Sequence, residues 1–307
     1  MQKRDLKLIT DTIVSSGDNI LECEGHPTLR IKRKFGLRLA LALADPFHPY
    51  PEELNSALAQ PNGMALTIEI ATKSKIDVLR FRYLSEVTAS SVSKLPAGTR
   101  AIDQEACIAD LTTHKIPYDV ESMVGKNKNW FRLQNRFGAI EFAELSDPME
   151  RSESIEKMIA WKREWFSEKG LLATGFNDPF HINCLRTFAI AKNSNCLKVF
   201  VLKVGGRIIA VQTYVSSPNG ILATVTAGDQ EFRQYGPGTL LTRLAISYAA
   251  SNDLNFVDFL PPSSPHKRSL TNQIKTKIEL QIPLSFKGRL ALEALDATER
   301  LRSRLIN

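Results

Sequence analysis

The stretch Ile221-Leu222-Ala223-Thr224-Val225-Thr226-Ala227-Gly228-Asp229-Gln230-Glu231-Phe232-Arg233-Gln234-Tyr235-Gly236-Pro237-Gly238-Thr239-Leu240-Leu241 decides how this chain is read. Its β-branched opening predicts a strand over Ile221 to Ala227, and the strand runs into a glycine turn. Beyond the turn, Leu241, Leu244, Ala245 and Tyr248 recur at helical spacing. They predict a helix from about Pro237 to Ser251 with those side chains on its buried face. A strand over Asn255 to Leu260 follows directly. Upstream, Val199 to Val204 and Ile208 to Val215 read as strands joined by Gly205-Gly206, and Ser217-Pro218-Asn219-Gly220 turns the second into the third. A meander, a tight turn, a helix and a strand make an α+β fold with a mixed sheet.

Strand, glycine turn and helix in that order form an anion site. The first turn of a helix leaves about four amide N–H groups without partners. The aligned peptide dipoles add about half a positive charge there. A pyrophosphate over those amides satisfies both. Gly236 and Gly238 remove side chains that would hold a phosphate off the backbone. Pro237 brings a φ suited to the first helical position. Arg233 can add a charge-assisted contact. An ordinary capped turn, with glycines only for conformation, is the alternative.

The pattern Arg233-x-x-Gly236-x-Gly238 resembles the acyl-CoA pyrophosphate motif of the GNAT acyltransferases, R/Q-x-x-G-x-G/A. The wider stretch is similar to the CelD-like branch, associated by name with bacterial cellulose and exopolysaccharide biosynthesis. That branch has an aspartate, an aromatic, Tyr-Ser-Pro-Gly and two leucines, then Asp-Phe and a Tyr-Lys pair. This chain has Tyr235-Gly236-Pro237-Gly238, Asp258-Phe259 and His266-Lys267, so glycine replaces the serine and histidine the tyrosine. The basic segment at 126–136 and the Trp161–Trp165 region also look like the family's middle part, while the first 100 residues match loosely. The resemblance implies tandem GNAT-like lobes, each a mixed, mostly antiparallel sheet flanked by helices. Residues 1–150 would be a degenerate N-terminal lobe and residues 151–307 the lobe that binds acyl-CoA. Acetyl-CoA or another acyl-CoA would then be the co-substrate. Val225, Thr226 and Ala227 would hold thioester and pantetheine through their backbone. Arg233, Gln234, Tyr235, Gly236, Pro237, Gly238 and Thr239 would hold the pyrophosphate.

Acyl transfer needs a nucleophile freed of its proton, an oxyanion donor and a proton for the leaving thiolate. Asp229, just past the strand, is a candidate base, and its rival reading is a turn cap after Gly228. Glu231 is a weaker rival, read more readily as a solvated loop charge. His266 follows the stiff loop Pro261-Pro262-Ser263-Ser264-Pro265 and suits proton transfer near neutral pH; it also reads as an exposed loop histidine. Lys267 could take a phosphate or an acidic sugar, or be a solvated lysine. Tyr235 and Tyr248 are candidate proton donors, with Tyr248 on the apolar helix face. His26, His48, His114 and His181 share no ligand spacing, so no metal is expected.

Lysine and arginine number 40 against 33 acids, a net charge of +7, which suits an anionic ligand as well as a solvated surface. Cys23, Cys107, Cys184 and Cys196 form no CxxC pair and read as buried or idle thiols. No apolar run approaches the roughly 18 residues of a membrane span, and the charged start of the chain reads as no secretory signal, so a cytoplasmic location is expected. Met64 to Ile70 and Ile76 to Phe81 are expected as strands, Pro51 to Ala59 and Ser152 to Lys169 as helices, the latter stopped by Gly170. Lys126, Lys128, Arg132 and Arg136 form one basic helical face. Arg30 to Lys34 is a dense basic cluster that alternates poorly with aromatics, so nucleic acid is not the expected partner. The tail from Lys287 to Leu305 has helical periodicity with surrounding arginines; it reads as packing on the protein, or as a weak membrane-surface contact. The expected acceptor is a small molecule or a glycan precursor. Two alternatives stay open: a Fem-like transferase taking aminoacyl-tRNA at the basic face, and a GNAT-fold binding protein without catalysis.

Overall fold

The computed structural model describes residues 3–21, 29–42, 58, 62–84, 95–112, 128–171, 175–191 and 196–306. The helix expected over Pro51 to Ala59 lies, apart from Leu58, outside the described residues, as do Cys23, His26, His48, His114 and Lys126. The chain runs through α1 (Lys3–Ser15), β1 (Asn19–Leu21), β2 (Leu29–Lys34), β3 (Leu37–Ala42), α2 (Gly63–Lys73), β4 (Val78–Leu84) and β5 (Arg100–Asp110). It continues with α3 (Lys128–Phe137), β6 (Ile140–Glu144), α4 (Pro148–Glu168), α5 (Pro179–Ile190), β7 (Leu197–Val204), β8 (Arg207–Ser217) and β9 (Gly220–Gly228). A short 3₁₀ turn over Gln230–Tyr235 leads to α6 (Pro237–Ser251), β10 (Phe256–Asp258), α7 (Pro265–Arg268), β11 (Gln273–Pro283) and α8 (Phe286–Ile306).

Two compact units result: Met1–Leu8 with Ala106–Lys275, and Ile9–Glu105 with Thr276–Asn307. In the first, β6, β7, β8 and β9 form an antiparallel meander. The helix α6 then crosses over to β10, which runs parallel to β9, and the end of β5 pairs antiparallel with β10 through Ile108, Ala109 and Asp110. The expected division after residue 150 falls inside this unit, near the start of α4. The reason is that β6 pairs along its whole length with β7, which ties the segment before α4 to the same sheet. Leu241, Leu244 and Ala245 of α6 are buried against Phe200, Leu202, Ile209 and Val257. Tyr248 is only half-buried and packs edge-on to Phe200.

The helix α4 starts earlier than its apolar periodicity suggests. The Asp147 carboxylate accepts the Met149 and Glu150 amides at 2.9 and 3.0 Å, and Pro148 takes the first helical position. Gly170, at φ 61°, ends it as expected: its N–H bonds to Ser167 O and that of Leu171 to Phe166 O.

In the second unit, β1, β2 and β3 are antiparallel, α2 crosses over to β4 parallel to β3, and β11 pairs antiparallel with β4. Met64 to Ile70, expected as a strand, is part of the helix α2. Its buried positions Met64, Thr67 and Ala71 are spaced three and four apart, so they share one face of a helix and not one face of a strand. The Thr67 hydroxyl donates to Gly63 O, which accommodates a β-branched residue in the helix. The strand expected over Ile76 to Phe81 forms as β4, displaced by two to three residues.

Both units therefore repeat one order: hairpin, crossover helix, parallel strand, antiparallel neighbour. Each crossover helix also begins on a left-handed residue, Asn62 at φ 65° and Gly236 at φ 62°. The fold is α+β and tandem, with a mixed, mostly antiparallel sheet and helices in each unit. No described helix is long and apolar enough to cross a membrane.

Candidate active site

The site of the first unit is opened by a strand that loses a partner. β9 is paired along its length with β8, but with β10 only through Gly220, Ile221 and Leu222. β10 ends at Asp258, and the chain turns away through Phe259 and Leu260. From Ala223 to Gly228 the β10-side edge of β9 therefore has no strand pairing among the described residues. A bulge lies in the same stretch: Thr213 pairs with Val225 and Tyr214 with Ala223, which leaves Thr224 as the extra residue. Its hydroxyl is 2.8 Å from that of Thr213 and 3.0 Å from Thr213 O. Bulges of this kind re-aim a strand beside sites.

A cavity of about 550 Å³ fills the fork. Of the residues expected to hold the co-substrate, Val225, Thr226, Ala227, Arg233, Gly236, Pro237, Gly238 and Thr239 line it, and so do Asp229, His266 and Lys267. Gln234 and Tyr235 do not. Gln234 is exposed on the 3₁₀ turn. Tyr235 is buried against Phe137 and its hydroxyl accepts from Arg136 Nη1 at 3.3 Å, so it serves the core.

The glycine turn has the shape a pyrophosphate needs. Gly236 takes φ 62°, ψ 48° as the N-cap of α6, a left-handed conformation that favours glycine. A Cβ on Gly238 would lie 3.3 Å from the Thr226 methyl, so the first turn of α6 rests on that methyl of β9 with no side chain of its own between them. The count of open amides is smaller than the general four. Pro237 has none, and the Thr239 and Leu240 amides both reach Gly236 O, at 3.0 and 3.1 Å. The Gly238 N–H is in the first turn and has no acceptor within the helix. Arg233 is more than half exposed at the rim, with Nη1 3.8 Å from Glu168. These residues fit a diphosphate: a bare glycine approach, an amide at a helix N-terminus and a cation on a long side chain beside it.

Asp229 is already engaged. Its Oδ1 accepts the Glu231 amide at 3.0 Å as the cap of the 3₁₀ turn, and its Oδ2 takes Arg207 Nη2 at 2.7 Å. Glu231 shares the same guanidinium at 2.7 Å. Arg207 thus ties both side chains together across the turn. His266 is held differently. It sits on α7, which Ser264 caps, and reaches solvent on one side. Partial burial, then the charges of Arg243 and Lys267, hold its imidazole below the usual pKa, so it is neutral at neutral pH. Lys267 Nζ donates to Leu260 O at 2.8 Å and Pro262 O at 2.9 Å, a clamp on the loop that leaves β10. Burial lowers its pKa, opposed by Cys107 and Asp258. Asp258 is buried and accepts the Leu260 amide at 2.8 Å. Tyr248 lies outside the cavity lining, donates to Glu144, and has its phenol pushed up to about 12 by burial and by that carboxylate.

The opposite wall was missed by sequence reasoning. Trp161, Lys162, Trp165 and Phe166 of α4, with Phe176, line the cavity. The spacing of the two tryptophans was visible but reads as a core stripe. Lys162 Nζ lies 5.3 Å from the Trp165 ring centre, and burial lowers its pKa with no opposing acid. On the floor, Gln212 and Thr242 join through a 3.1 Å hydrogen bond. Among the described residues no cluster of His, Cys, Asp and Glu has the make-up of a metal site.

Residues 128–268 match the family described as Acetyltransferase (GNAT) domain, a little under half of the chain. No curated protein matches in sequence. Among solved structures, the C-terminal domain of a putative lysylphosphatidylglycerol synthetase from Agrobacterium fabrum is similar at 13% identity and a TM-score of 0.56, over 96% of this chain and 95% of that one. The structure described as FemX aligns at 11% identity and a TM-score of 0.56, over 90% of each chain. A conserved protein of unknown function from Bacteroides thetaiotaomicron aligns at 14% identity and a TM-score of 0.55, over 91% of this chain and 90% of that one. At these identities the structures share the fold.

Proposed function

We propose that this chain is an acyl-CoA-dependent N- or O-acyltransferase acting on a sugar or glycan precursor, as in the CelD-like branch. The observation that carries the reading is the unpaired edge of β9 leading straight to the Gly236–Gly238 turn. A pantetheine arm has amides that could bond along such an edge as an added strand would, while its diphosphate lies on the turn. Backbone groups of Val225, Thr226 and Ala227 would orient the thioester. His266, neutral at neutral pH, would take the proton from the acceptor amine or hydroxyl as it attacks the thioester carbon. The tetrahedral oxyanion then collapses, the C–S bond breaks, and the imidazolium returns the proton to the thiolate. Trp161 and Trp165 offer flat apolar faces suited to a sugar ring, beside the cation of Lys162.

A second reading, transfer of an aminoacyl group from tRNA, is favoured by α3, where Lys128 and Arg132 are exposed. Similarity to FemX and to a lysylphosphatidylglycerol synthetase is in keeping with it but rests on fold. Thermal stabilisation separates the readings. A ligand at about 100 times its Kd should stabilise by roughly 2.7 kcal/mol. Stabilisation by acetyl-CoA and CoA supports the first reading, and its absence at millimolar ligand sinks it. Strong, salt-sensitive binding of bulk tRNA would support the second. CoA binding without turnover on amine and sugar acceptors would leave a binding protein.

A further inference from the structure

The second unit carries an exposed ring in an unusual place. β2 and β3 pair through Lys34 and Leu37, so Phe35 and Gly36 alone make the loop of their hairpin. Both have positive φ, 52° and 76°. A two-residue loop of this type favours Asn-Gly or Asp-Gly, and a bulky residue at φ above zero is strained. Phe35 is also 91% exposed. It therefore neither eases the turn nor fills a core, and a strained exposed residue invites a functional reading. Around it stand Lys32, Arg33, Lys34 and Arg38, with no acid between residues 30 and 38. Arg33 and Lys34 are exposed, and Lys34 Nζ lies 5.3 Å from the Phe35 ring centre.

We propose that the β2–β3 hairpin docks on an anionic lipid surface, with the Phe35 ring among the headgroups and the flanking cations on lipid phosphates. A lone ring at an apex, backed by cations, matches the interfacial pattern of apolar anchor plus basic face. Single-stranded nucleic acid is bound instead by several rings along a groove, and the hairpin has one. The docking is independent of the acyl-transfer reading.

The test is co-sedimentation of the full chain with vesicles of phosphatidylcholine alone or mixed with phosphatidylglycerol. Binding to the anionic vesicles only, weakened by salt, is the expected result. Phe35→Ser should weaken it about tenfold or more, since an apolar ring is withdrawn from burial. Replacing Arg33 and Lys34 together by glutamine should weaken it roughly 30-fold, from about 1 kcal/mol for each cation. In Phe35→Trp, anionic vesicles should shift the added tryptophan emission to the blue. Because Phe35 is exposed, these variants should keep the parent melting temperature, which is measured alongside. Absence of binding to anionic vesicles, or binding unchanged in Phe35→Ser, overturns the proposal. So does a blue shift of the Phe35→Trp variant produced by single-stranded RNA but not by vesicles.

Discussion

A Cβ on Gly238 would come within 3.3 Å of Thr226 Cγ2, so the helix that should carry the diphosphate rests its first turn on the strand that should carry the thioester. The two halves of the site are set by one contact. Gly238→Ala needs Thr226 to give by a few tenths of an ångström and should weaken CoA binding while leaving a folded protein. Gly238→Glu places a carboxylate against the phosphates and should abolish CoA binding with the fold kept. Calorimetric titration with CoA and circular dichroism check both; full CoA affinity in Gly238→Glu would put the site elsewhere.

Asp229 joins Arg207 and caps the 3₁₀ turn, so its loss should appear first as lost stability. Asp229→Ala should cost about 1 kcal/mol, the usual size of a lost cap. Asp229→Asn keeps an acceptor for the Glu231 amide and should retain most of the stability and of the transfer rate. A base would behave otherwise: the asparagine variant would fold like the parent and lose roughly 100-fold or more in rate.

His266 gives a pH signature. Burial, Arg243 and Lys267 all disfavour its protonated form, so its folded pKa is lowered. A base works only when neutral. The transfer rate should therefore rise with pH through a midpoint below that of a free imidazole and stay flat above it. His266→Gln should remove that inflection and lower the rate by about 100-fold or more, with CoA binding retained. The same shift bears on stability. The unfolded chain binds the proton more readily, so stability is full above the unfolded pKa and declines as pH falls towards the folded one. His266→Gln should flatten that part of a melting-temperature profile.

The C-terminal half of the first unit was legible because its signals are local. Gly205-Gly206, the β-branched runs around it and the helical spacing of Leu241, Leu244 and Ala245 each specify a turn, a strand or a helix face on their own. The glycine turn could be placed for the same reason. Met64 to Ile70 misled because β-branched residues propose a strand, whereas burial of Met64, Thr67 and Ala71 on one face decides for a helix. The remote parts of the site were hidden more deeply. Trp161, Lys162 and Trp165 reach the cavity only because α4 lies over the end of β9, and nothing in their spacing distinguishes a cavity wall from a core stripe. Asp229 read as a base or a turn cap; its ion pair was hidden because Arg207 is 22 residues away in sequence and adjacent only once β8 pairs with β9.

Lys267 and Lys162 both line the cavity, and their hydrogen bonding assigns them different work. Lys267 spends two N–H donors on Leu260 O and Pro262 O, which fixes the loop between β10 and α7 and so the position of His266. Lys267→Met removes both donors and takes this partner from the part-buried Leu260 carbonyl, at a cost of about 1–3 kcal/mol. The melting temperature should fall with and without CoA, and the rate should fall with it through the displaced imidazole. Lys162 makes no such clamp; its cation faces the Trp165 ring and the cavity. Burial disfavours its charge in the folded state, so Lys162→Met should keep or slightly raise the melting temperature and leave the CoA-induced shift intact. If Lys162 receives an anionic part of the acceptor, the loss should appear as a raised KM for that acceptor with kcat little changed, because the contact is the same in ground and transition states. Equal melting temperatures for Lys267→Met and the parent would favour a phosphate or an acidic sugar as the partner of Lys267.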